Sequence, residues 1–146
     1  MKKVWWKVPL YCAVAGWVSF QLMVHILGKL AIVTLPDGTV TSNNTTWMLL
    51  SGCVFLVAIL VGGFVFFRKM TRQDVFKSAT VMVILNAIMG IIANIQAQAY
   101  PMIWVYVSEW SSFLSQFLFR LHVNEWVSAL IVWSAPLLFV PFGKKS

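Results

Sequence analysis

Two groups of polar residues in this chain have the types and spacing that chemistry requires, and the first is a row of amides. Asn86, Gly90 and Asn94 follow at four-residue intervals, with Gln98 one step further and Ser78 and Met82 continuing the row backwards. A step of four residues drifts only about 40° around a helix, so these positions share a face. Gln21, one turn before His25 and close to Ser19, adds an amide from another apolar run. Inside an apolar stretch each amide must find its partner within the protein. The face then either hydrogen-bonds a neighbouring helix across small residues, or lines a polar groove that passes a substrate or holds a lipid headgroup.

The second group is histidine and carboxylate. His122 and Glu125 stand three residues apart and would meet His25 at one membrane face, with Glu109 on the same side. Imidazole and carboxylate together suit zinc or iron, so His25, His122 and Glu125 form a candidate metal site. The plainer reading is hydrogen-bonded histidines at an interface. A haem between the two histidines lacks a repeated bis-histidine pattern. The sequence contains no HExxH, GxSxG, Cys-x-x-Cys or phosphate-binding glycine loop, and no serine has a base at a defensible spacing. The chain therefore reads as non-catalytic, and no particular cofactor is specified.

The elements that position these residues follow from composition. Of 146 residues, 60% are hydrophobic and 10% charged, where a soluble domain carries about a quarter charged. Uncharged runs at residues 8–27, 47–67, 78–99 and 126–142 predict an all-α integral membrane protein, a four-helix transmembrane bundle forming one domain over 1–146. The last run would reach only about 25 Å as an α-helix. It would need help from Glu125 and Lys144 at its ends, or a thinner bilayer. None of the four runs contains a formal charge, which removes the buried carboxylate that a proton-coupled exporter uses.

The net charge of +7 does not describe a nucleic-acid face, because its distribution follows the runs. Lys2, Lys3 and Lys7 precede the first, Arg68, Lys69, Arg72 and Lys77 separate the middle pair, and Lys144 and Lys145 follow the last; only Lys29 and Arg120 fall elsewhere. With four crossings, nine of eleven cations share one side, the bias that marks a cytoplasmic face. Both termini are expected there, in a bacterial cytoplasmic membrane. Asp74 is the acid of that side; Asp37, Glu109 and Glu125 fall opposite. The basic start before an apolar run also suits a signal peptide, but is read as the first span, and bulky Tyr11 before Cys12 does not suit a lipoprotein signal. Cys12 and Cys53 lie roughly 15 Å apart along the helix axes, too far for a disulfide.

An outer cap is expected from residues 28–46 and 100–125. Residues 31–35 and 39–41 are β-rich and flank Pro36-Asp37-Gly38, which predicts a short extracytoplasmic β-hairpin. Alone it would be marginal, so it should pack on the rest of the cap or on a partner. Asn43 and Asn44 match the glycosylation pattern but stand too near the membrane for glycosylation to be expected. Ser108, Ser112, Ser115 and Gln116 recur on one face of residues 102–121, which predicts an outer interfacial amphipathic helix or a re-entrant segment. A fifth span would put Glu109 in hydrocarbon and Lys144 on the wrong side. Trp5 and Trp6 at one edge, and Trp47, Trp104, Trp110 and Trp126 at the other, fit the interfacial preference of indole; Trp17 and Trp133 fall mid-span.

Small residues at Ala15, Gly16 and Ser19, at Gly52, Gly62 and Gly63, and at Ala87, Gly90, Ala93 and Ala97 permit close helix contact, and Thr71 can cap the third helix with Asp74 in its first turn. Functionally, the sequence suggests an accessory or assembly subunit that presents its cap or polar groove to a partner protein or a second copy. A small oligomeric transporter lined by Asn86, Asn94 and Gln98 is the second class. A membrane metal or cofactor protein using His25, His122 and Glu125 is the third.

Overall fold

The computed structural model describes residues 3–95 and 102–145. It is mostly helical, with four helices long and apolar enough to cross a membrane: Lys7–His25, Asn44–Phe67, Arg72–Ile95 and Glu125–Phe142. The first is α1. The second is α2 (Asn44–Val61), which continues as a π-helical turn over Gly62–Phe67. The third is α3 (Arg72–Ile95). It begins six residues before the expected run, because Thr71 caps it by accepting a hydrogen bond from the Asp74 amide at 3.2 Å. The expected end of that run, with Gln96, Ala97 and Gln98, lies outside the described residues.

Hydrogen bonds gather the three basic segments at one end of the bundle. The Val8 amide donates to Ser78 Oγ at 2.9 Å, and that hydroxyl donates to the Trp5 carbonyl at 3.0 Å. Arg72 N donates to the Lys144 carbonyl at 2.9 Å, and Lys144 N returns a bond to the Met70 carbonyl at 2.8 Å. Sequence positions separated by about seventy residues are thereby stitched into one layer, as an even number of crossings requires. Cys12 is buried, Cys53 is exposed, and neither is bonded to the other.

The last long helix gains length through a change of helix type. It is α-helical over Glu125–Trp133, here α6, and then 3-10 over Ala135–Phe142, with Pro136 at the start of the second part and Pro141 inside it. Proline cannot supply an α-helical amide. A 3-10 helix rises about 2.0 Å per residue against 1.5 Å, so eight such residues extend the segment by about 4 Å.

At the opposite end, β1 (Ile32–Thr34) pairs antiparallel with β2 (Val40–Ser42). Gly38 takes a φ of +84° in the turn, and Asp37 Oδ1 accepts from both the Thr39 amide and hydroxyl, at 2.9 and 2.6 Å. Those bonds hold the Asp37 carboxyl below the usual carboxylate range. All six strand residues are exposed. The hairpin forms as expected, and among the described residues nothing buries its strands.

Of the two forms expected for residues 102–121, a single interfacial helix or a re-entrant segment, the structure has the second arrangement: a helical hairpin that folds back into the bundle. Its arms are α4 (Met102–Ser108) and α5 (Ser112–Arg120), joined by a 3-10 turn at Glu109–Ser111. The descending arm lies on α1, where a Cβ at Gly16 would strike the carbonyls of Tyr106 and Val107, and where Phe20 meets the Tyr106 ring edge-on. Small Gly16 is thus the seat of the hairpin. The ascending arm lies on α2: Phe113 sits over Gly52, and Arg120 donates to Thr45 Oγ1 at 3.1 Å near the start of that helix.

Trp110, at the tip, is 2% exposed. Its indole stacks on Phe55 with centroids 5.8 Å apart and meets Phe139 at 5.5 Å, while Phe139 in turn meets Tyr11 and Phe67. The expectation of Trp110 at an interface is therefore corrected. An aromatic cluster at the centre of the bundle offers a large apolar contact area that a headgroup region cannot.

Candidate functional site

The re-entrant hairpin carries a carboxylate into the bundle. Glu109 follows the last residue of α4 and is partly buried, beside a cavity of about 280 Å³ between the hairpin, α3 and α6. Ser108, Ser111, Ser112 and Ser115 line it from the hairpin, Asn86 and Gly90 from α3, and Trp104 and Trp133 are part of its wall. The Ser112 hydroxyl donates to Glu109 Oε1 at 3.3 Å. The other serines tie off the backbone where the helix breaks. Ser108 Oγ donates to the Trp104 carbonyl at 2.9 Å, and Ser111 Oγ to the Ser108 carbonyl at 3.0 Å. Each such bond reaches back to a carbonyl three or four residues earlier, the local back-bonding by which serine accompanies a bend in a helix.

The far wall depends on Gly90. A Cβ there would overlap the Trp133 indole, so only glycine lets α6 approach closely enough to close the cavity. Asn86 Nδ2 donates to the Trp133 carbonyl at 3.3 Å, which fixes α3 against the point where α6 changes to 3-10 geometry. Its amide oxygen remains as an acceptor at the cavity.

Burial raises the Glu109 carboxyl above its ordinary value, and the Ser112 bond brings it part of the way back. The cavity can thus hold a proton on Glu109 or a positively charged group beside it. Two indoles in the wall suit a cation equally well.

The residues expected from sequence divide unevenly around this cavity. Asn86 lines it and makes the interhelical bond that was one of its two expected roles. Asn94 is exposed and its Nδ2 donates to the carbonyl of Gly90 in its own helix, at 3.0 Å. Gln21 is partly buried on α1 and is not among the cavity-lining residues. Gln98 lies outside the described residues.

His25 ends α1, His122 sits in the turn after α5, and Glu125 begins α6; all three are exposed. Among the described residues no three His, Cys, Asp or Glu side chains gather to hold a metal ion. His122 instead has a backbone role, with a φ of +54° at the position that terminates α5, where glycine is usual.

Glu109 is the residue that the sequence pattern missed. None of the four apolar runs contains a formal charge, yet the bundle holds a carboxylate, because the short hairpin between the third and fourth long helices delivers it. Four serines around one glutamate in an apolar stretch were the available signal. Their spacing reads as one face of a continuous helix, whereas the turn at Glu109–Ser111 makes them converge from two. Comparison with protein-family models, with curated protein sequences and with solved structures finds no match.

Proposed function

We propose that this chain is a small non-catalytic membrane transport protein that takes a small organic cation, of ammonium or guanidinium type, into the Glu109 cavity. The observation that carries this is the partial burial of Glu109 beside hydroxyls, one amide and two indoles, in a bundle whose apolar runs carry no formal charge. Carboxylates at such depth are expensive and mark ion or substrate pathways. A cavity of about 280 Å³ lies at the small end of ligand sites, which favours a compact headgroup over a drug-sized molecule. The basic end would face the cytoplasm, by the charge bias.

The test is uptake of radiolabelled methylammonium and guanidinium by proteoliposomes containing the purified chain. Glu109→Gln keeps the shape of the protonated carboxyl and should abolish saturable uptake, while Ser112→Ala should weaken it. Uptake that is absent in the original chain, or that survives Glu109→Gln, would dismiss the proposal.

A second reading, the partner-binding subunit, draws on the exposed β-hairpin. Ile32, Val33 and Val40 are 52, 41 and 66% exposed, and among the described residues no third strand pairs with either outer edge of the hairpin, where another strand could add. Gentle purification that recovers a second protein, lost when Val40 is replaced by proline, would support it.

A further inference from the structure

Beyond the Glu109 cavity, the hairpin creates a second feature by spreading α1 and α2. It occupies one side of that pair, through Gly16 on α1 and Gly52 on α2. On the other side the two helices leave an open groove of about 860 Å³. We propose that this groove binds one anionic phospholipid from the leaflet at the basic end, with an acyl chain along the groove and the phosphate at Lys7.

Chemistry and length both select that occupant. The walls are Leu10, Val14 and Val18 from α1 and Val54, Val57 and Val61 from α2, so the interior is aliphatic along its run. Tyr11 also lines it, but its hydroxyl is already committed to the Ala58 carbonyl. The one charged lining residue is Lys7, with Trp6 beside it, at the end where α1 begins. Phe66 and Phe67 line the groove from the π-helical turn that continues α2, and exposed Arg68 follows them directly. Asp74, the acid of that end, lies in the first turn of α3 and is not part of the lining.

An apolar trough with a cation at one end is complementary to an amphiphile with an anionic head. A protein helix laid in the same place would bury Lys7 without a partner, at a penalty that an apolar contact does not recover. From Lys7 to Leu22 the groove follows α1 for about 22 Å, longer than the roughly 15 Å of one leaflet's hydrocarbon. A single-leaflet chain therefore fits inside it, beginning at the basic end.

The experiment is native mass spectrometry of the purified chain after exchange into mixed micelles containing equal phosphatidylglycerol and phosphatidylcholine. One phosphatidylglycerol should be retained preferentially, and Lys7→Gln should lower that preference about fivefold, the effect of one interfacial cation. Val57→Trp, an exposed position, should fill the groove and release both lipids with helical content unchanged by circular dichroism. Equal retention of the two lipids by the original chain would overturn the proposal, as would an undiminished preference in Lys7→Gln. Should Val57→Trp fail to fold, Lys7→Gln still decides, because Lys7 is exposed at the start of its helix.

Discussion

Single atoms decide whether the hairpin can enter. At Gly16 the missing Cβ is replaced by two backbone carbonyls, of Tyr106 and Val107, which cannot rotate aside as a side chain could. Gly16→Leu should therefore lever α4 off α1 and destabilise the bundle by about 1–3 kcal/mol, the usual range for overpacking. Denaturation in mixed micelles measures the loss, and a red shift of Trp110 fluorescence shows that the tip has left the aromatic cluster; an unshifted spectrum would mean that the close approach is not required. The reverse sign is expected at His122. Its left-handed backbone costs an L-residue about 1 kcal/mol that glycine does not incur. His122→Gly should raise stability by about that amount, whether or not divalent metal is present, and a metal-dependent loss instead would restore the histidine to a ligand role.

Helices with a uniform requirement were legible, and those with a conditional one were not. Each crossing needs an unbroken apolar run, which composition reveals directly, so α1, α2, α3 and α6 could be read to within a few residues at most ends. The segment from Met102 to Arg120 obeys no such rule. Its apolar residues face α1 and α2 while its serines converge on a cavity, and only the partners available inside the bundle determine that it bends at Glu109. The same dependence on context hid the 3-10 geometry after Ser134, although Pro136 and Pro141 were visible. If those prolines maintain the extended rise, replacing both with alanine lets the segment return to α-helix and shortens it by about 4 Å. Lys144 would then be drawn away from Met70 and Arg72, whose amide and carbonyl bonds it shares. Hydrogen exchange should show faster exchange of the Lys144 and Arg72 amides in the double variant, with the rest of α3 protected as before. Protection that stays unchanged at those two amides would mean that the tail does not set the register of the basic end.

The fold of the whole molecule is coupled to pH through the partly buried Glu109, above the window of the exposed Asp37. Unfolding returns Glu109 to an ordinary carboxyl near 4.5, whereas in the folded bundle its pKa is raised, mainly by burial. The unfolded chain then gives up its proton first as pH rises, so folding is favoured while both states are protonated and loses stability between the ordinary and the raised value. The lining of the cavity contains no second titratable side chain among the described residues, so Glu109 alone should produce this slope. Midpoints of unfolding measured across that window should fall with rising pH in the original chain and stay nearly level in Glu109→Gln, which should also be the more stable protein above it. A cation that binds the ionised carboxylate reverses the slope: saturating guanidinium, at concentrations too low to denature, should stabilise the original chain more at higher pH and leave Glu109→Gln unaffected. If the two proteins show the same pH dependence, Glu109 is not the group that couples protons to the fold. If they differ but guanidinium has no selective effect, the carboxylate is a structural acid of the hairpin turn and the proposal of cation binding fails while the fold stands.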